Sequence, residues 1–196
     1  MHLGEVATVR SGLVLSRKQA KKPSAYRYQL LNLKSIHADA YIKKDLLDIY
    51  DAVEQLNPEY LTQKGDIVIR LSSPYTAVLI DETAIGLVIS SNFTVVRANH
   101  DRVLPEYLFW LLNTSNVKKD ILKHNTSNML GAIRPQYYND FEVVLLPLIQ
   151  QKKIAKLNLL ARRESRLMQD LACMKKQYYT IMIDEVQRKM RRGNIQ

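Results

Sequence analysis

Three things are scarce in this 196-residue chain, and each scarcity excludes something. Cysteine occurs once, at Cys173, which leaves no internal disulfide and no cysteine-based metal site. No apolar run approaches the ~20 residues of a membrane span. The opening Met-His-Leu-Gly-Glu-Val lacks the basic-then-apolar pattern of a signal peptide, so a cytoplasmic protein that avoids membranes is expected. Glycine occurs six times, and seven residues separate the nearest two, Gly4 and Gly12. A glycine-rich loop of the kind that holds a methyl donor is therefore absent.

Catalytic constellations are equally thin. His2, His37, His100 and His124 show no metal spacing and no His-Glu-x-x-His. Ser11, Ser72 and Ser73 lack the Gly-x-Ser-x-Gly elbow of a serine nucleophile. Asp66 and Glu82 are not followed by the Glu-x-Lys of a nuclease, and Asp66 after Gly65 reads as a turn residue. Asn57-Pro58-Glu59-Tyr60 is similar to the Asn/Asp-Pro-Pro-Tyr/Phe tetrapeptide of adenine methyltransferases, but Glu59 stands where a second proline is needed. A turn leading into the next strand is the better reading. The chain is expected to be no enzyme, with no metal and no cofactor of its own.

What is present is positive charge, unevenly spread. The formal charge is +10. Residues 150–192 hold twelve Lys/Arg against four acids, whereas residues 1–149 hold seventeen against fifteen. Within that near-neutral body, residues 10–44 carry nine basic side chains and one acid, Asp39. Two local basic regions suit a polyanionic partner, nucleic acid being the commonest, and equally suit plain solvation.

The local patterns predict an α+β fold. Leu3–Val9 suits one helical turn, broken at Arg10-Ser11-Gly12 and followed by a small, basic loop to Ser24. Strands are predicted at Tyr28–Leu33 and Ile67–Leu71. Ser72–Tyr75 interrupts the latter before Thr76–Ile80 resumes it, and Asn92–Arg97 alternates like a half-buried strand. The β-branched density from 67 to 97 argues for a mainly antiparallel sheet or partial barrel. Ile36–Asn57 is mixed, with an acidic cluster at Asp45, Asp48, Asp51 and Glu54. A buried helix opens at Pro105, a second spans Val117–Lys123, and a short one spans Pro135–Asn139 ahead of a strand at Phe141–Leu145.

After Pro147 there is no further proline, and the only later glycine is Gly193. Leu157, Leu160, Glu164, Leu167, Leu171, Met174, Tyr178 and Ile181 recur in alternating steps of three and four, the seam of a coiled-coil helix. Some 40 residues of helix would run roughly 60 Å. Residues 1–146 are thus expected to form one domain and residues 147–196 a long C-terminal helix.

The order of these features resembles the DNA specificity subunit of type I restriction-modification systems. The resemblance runs through Leu3–Gly12, Leu61–Ile69 with its Gly-Asp-Ile entry, Ser90–Arg97, Leu104–Leu112 and the Leu-Pro-Leu-Ile-Gln-Gln-Lys-Lys-Ile-Ala of Leu146–Ala155. Gln150 stands where that family commonly has Glu. The resemblance implies a half-size form, with one target recognition domain and one conserved helical region. It implies a non-catalytic chain that reads one part of a bipartite double-stranded DNA target. Modification subunits would dock on the helical region and supply S-adenosylmethionine and the catalytic tetrapeptide; a restriction subunit is a further partner within the family.

On that reading the DNA-facing loops are Arg10–Lys22, with Arg10, Ser11, Arg17, Lys18, Lys21 and Lys22; Arg70–Tyr75, with Arg70, Ser72, Ser73 and Tyr75; and Lys123–Arg134, with His124, Asn125, Thr126, Ser127, Asn128 and Arg134. Leu157, Leu160, Leu167, Leu171, Met174, Tyr178 and Ile181 would pair antiparallel with a second copy. The basic residues Arg162, Arg163, Arg166, Lys175 and Lys176 suit either DNA phosphates or an acidic modification subunit. A stand-alone DNA-binding regulator dimerised by the same coiled coil is the alternative.

Overall fold

A computed structural model describes residues 1–125 and 133–193. The chain divides into two compact units, Met1–Lys156 and Leu157–Gln196. The first unit is α+β and holds two open sheets.

The larger sheet is four-stranded and antiparallel, built from β1 (Ala7–Ser11), β4 (Ile67–Arg70), β5 (Ala77–Leu79) and β7 (Phe93–Ala98) in the order β1-β7-β4-β5. Its two central strands are apolar on both faces: Ile67, Val68, Phe93, Val95 and Val96 are fully buried. A strand covered on both sides needs apolar side chains at consecutive positions. The smaller sheet orders β3 (Asp48–Ala52), β2 (Tyr26–Leu31) and β6 (Val88–Ile89) as β3-β2-β6, with β2 and β6 parallel.

Helices α1 (Pro105–Leu112), α2 (Ser115–Asn125), α3 (Pro135–Asp140) and α4 (Leu148–Gly193) follow the strands. As predicted, α1 opens on proline and is buried through Tyr107, Leu108, Phe109 and Leu112. In the first turn of α4, Gln151 is 1% exposed. Its amide accepts from the Leu104 N–H at 2.9 Å and donates to the Leu146 carbonyl at 2.8 Å. One buried side chain thus satisfies backbone groups at the start of α1 and just ahead of α4, groups costly to bury unpaired.

Four local expectations are corrected. The Leu3–Val9 turn is a 3-10 turn at Leu3–Glu5 only, because β1 begins at Ala7 and pairs with β7 from Ala98 back to Thr94. The acidic cluster conceals β3: Asp51 lies opposite Arg27 in register and is ion-paired to it at 2.9 Å, and Asp48 pairs with Lys34 at 3.4 Å. Cross-strand cations make an acidic strand tolerable. Ser72–Tyr75 does not interrupt one strand but turns β4 back on β5 as an antiparallel hairpin, around a cis Ser73–Pro74 bond. Phe141–Leu145 forms only an isolated bridge, Glu142 to His2, because the adjoining N-terminal segment curls at Leu3 and offers no further edge.

Candidate nucleic-acid interface

The described parts of the predicted loops meet at a segment that the sequence reading left out of the DNA-facing set, Ser90-Ser91-Asn92. Leu13 donates to the Ile89 carbonyl at 2.7 Å, and Ser91 donates to the Leu13 carbonyl at 2.8 Å. On the other side Leu71 donates to Asn92 at 3.0 Å, and Ile133 donates to Leu71 at 2.8 Å. The first loop, the β4–β5 turn and the Ile133–Arg134 end of the third loop are therefore joined through backbone groups. Ser73, Ser91, Asn92 and Arg134 are exposed around this junction. The signal that could have found it is the small polar Ser-Ser-Asn between two apolar runs, which marks a loop tip.

Gly12 makes the junction possible. A Cβ there would lie 2.1 Å from the Ser90 carbonyl oxygen and 2.6 Å from that of Ile89. Both are backbone atoms with nowhere to go. Gly12→Ala is expected to cost about 3 kcal/mol, read as a melting temperature lowered by roughly 6–12 °C. An unchanged melting temperature would refute the close approach.

The nine basic residues of 10–44 separate into two classes. Lys18 is ion-paired to Glu54, Arg27 to Asp51, Lys34 to Asp48, and Arg10 faces Asp66 at 3.9 Å. Arg17, Lys21, Lys22, Lys43 and Lys44 have no carboxylate partner among the described residues. Those five are the cations that remain for a polyanion.

Arg10 leaves the DNA-facing set for a structural reason. It and Ser11 belong to β1, not to a loop, and the Arg10 side chain is 18% exposed. Asp66, fully buried, accepts a two-pronged bond from Arg97 at 2.7 and 2.9 Å and a third bond from the Gln63 N–H at 2.9 Å. Arg10 comes third to this carboxylate, and its two terminal nitrogens are buried without a hydrogen-bond partner. Burial, then the neighbouring Arg97, lowers its pKa. The bond to Asp66 raises that of Arg97.

In the second loop, Ser72 and Ser73 stay at the surface, but Tyr75 is 4% exposed with φ at 54°, so its ring belongs to the core. Arg70 donates to the Ser73 carbonyl at 3.1 Å and the Leu33 carbonyl at 3.4 Å, and so braces the turn. Of the third loop, His124 lies on α2 against Asp120 and Tyr137, and Arg134 is exposed. Thr126, Ser127 and Asn128 lie outside the described residues, as does the side chain of Asn125. Asn57 accepts from the Glu59 N–H at 2.9 Å, a turn bond made by the amide oxygen that an adenine amino group would need.

The seam residues of α4 are all exposed, from 53% at Leu171 to 69% at Leu157. Met168, Ala172, Tyr179, Met182 and Val186 form a second exposed row beside them. Among the described residues, no helix is long and apolar enough to cross a membrane.

Neither a protein-family model nor a curated protein matches the sequence. Solved structures do match. A chain from a study of complex assembly and conformational transition of the type I restriction-modification system aligns with a TM-score of 0.60 and 21% identity. The HsdS subunit from Thermoanaerobacter tengcongensis aligns at 0.55 and 18%. The type I restriction-modification S subunit from M. genitalium aligns at 0.51 and 15%, over 84% of this chain and 38% of its own. The first two each cover 86% of this chain, which spans only 43% of theirs. The chain therefore has the fold of these chains over less than half of their length.

Proposed function

We propose that this chain is a non-catalytic DNA sequence-specificity subunit of a type I restriction-modification system, reading one half of a bipartite double-stranded target. The observation that carries the reading is the junction at Ser90–Asn92, where the first loop, the β4–β5 turn and Ile133–Arg134 come together on a fold shared with S subunits. Phosphate contacts set register, while side chains in the groove read base edges. Arg17, Lys21 and Lys22 suit the first task, and Ser73, Ser91, Asn92 and Arg134 the second.

The exposed seam supports antiparallel pairing with a second copy. A two-fold axis at residue 169 sets Leu157 against Ile181, Leu160 against Tyr178, Glu164 against Met174 and Leu167 against Leu171. The second apolar row suits a further helix, which is how an adenine methyltransferase subunit carrying S-adenosylmethionine would dock.

Co-expression with an adenine-specific modification subunit, followed by mapping of methylated adenines, tests this reading. A symmetric split motif is expected. DNA binding without any directed methylation would instead support the stand-alone regulator. In equilibrium binding, Lys21→Ala with Lys22→Ala is expected to weaken cognate and random duplexes alike. Each lost phosphate contact should flatten the salt dependence by about 0.9 in log–log slope. A loss confined to the cognate duplex would show these lysines to be base readers.

A further inference from the structure

The described residues hold a groove of about 860 Å³ that the DNA-reading assignment leaves unused. Its apolar lining includes Trp110, Val117, Tyr137, Phe141 and Val144, the last 84% exposed. Asp120, Asp140 and Glu142 also line it. Tyr137 donates to Asp120 at 2.6 Å, and Gln136 donates to Asp140 at 2.8 Å. Bonds from Gln136 and Asn139 hold the Asp140 carboxyl below its usual range. No lysine or arginine ion-pairs with Asp140 or Glu142 among the described residues. Carboxylates on an aromatic floor repel DNA and suit a basic, partly apolar protein segment.

The chain itself contains such a segment. Arg188, Lys189 and Arg191 end α4, interleaved with Met190 and close to Val186, and all are exposed. The symmetric register fixes where this segment falls on a second copy: Arg188 opposite Gln150, and Arg191 opposite Pro147. Pro147 and Gln150 come three and six residues after Val144, and Asp140–Val144 line the groove. We propose that the groove of each copy receives the basic end of the other copy's long helix, through Arg188 and Arg191 on Asp140 and Glu142. The proposal rests on the antiparallel pairing put forward above. Two identical contacts then lock the ends of the antiparallel pair.

Sedimentation equilibrium of the full chain tests it with a charge swap. Asp140→Lys with Glu142→Lys is expected to weaken self-association at least tenfold, and so is Arg188→Glu with Arg191→Glu. Combining all four should restore the dissociation constant to within about threefold, which a misfolded variant could not do. Silent swaps in a chain whose dimer is lost on Leu160→Glu would overturn the seat and leave the pairing standing. A parent chain that never dimerises would overturn both. Groove variants that dimerise normally but lose a modification subunit would assign the groove to that subunit and overturn the proposal.

Discussion

Replacing Asp66 by asparagine is expected to destabilise the first unit by about 3–5 kcal/mol, the usual cost of removing one partner from a buried ion pair. The residue is fully buried, and three of its bonds are made to Arg97 and the Gln63 N–H. Asparagine keeps the shape but removes the negative charge bonded to Arg97 and facing Arg10. Arg97, 35% exposed, can turn partly toward water, so the loss should fall at the lower end of the range. Arg10 cannot, because its terminal nitrogens are enclosed. Chemical unfolding by urea reads the difference directly. Arg10→Met is the informative companion: it removes buried donors that have no hydrogen-bond partner and should cost under about 1 kcal/mol. A loss at Arg10 equal to that at Asp66 would show that the second arginine, not the first, holds the carboxylate.

Leu160→Glu combined with Leu171→Glu should leave the chain monomeric across the measurable concentration range. Each buried leucine contributes ~1.5–3 kcal/mol, and the two-fold axis doubles both substitutions. The loss is then roughly 6–12 kcal/mol, against the ~8 kcal/mol that corresponds to a micromolar dimer. Both leucines are more than half exposed in the single chain, so its melting temperature should hold. Binding to a split target should fall by about 10²–10⁴, the gain that linking two modest sites gives. Binding to an isolated half-site should not change. A variant that stays dimeric by light scattering would refute the seam.

Much of the architecture was legible beforehand, and the misses share one cause. Pro105 and Pro147 announce α1 and α4 because proline and helical periodicity act within a few residues. Strand β3 is hidden in the sequence because Asp48 and Asp51 look like loop residues until Arg27 stands opposite Asp51 and Lys34 reaches Asp48. The β4–β5 hairpin looks in sequence like one broken strand because no local signal separates a bend from a reversal of direction. At the candidate interface the sequence marks polar loops but not the meeting point at Ser90–Asn92, because that is made of hydrogen bonds between distant backbone groups.

The sequence by itself determined the α+β class and the long amphipathic helix with its exposed seam, since these follow from spacing along one chain. Only the tertiary structure decided which of the nine cations between Arg10 and Lys44 remain for a polyanion. Arg10 and Lys21 are alike as letters in a basic run. What separates them is that strand pairing brings Asp66 to one and leaves the other in water. A charge's role depends on its neighbours in space, and those neighbours are set by the fold.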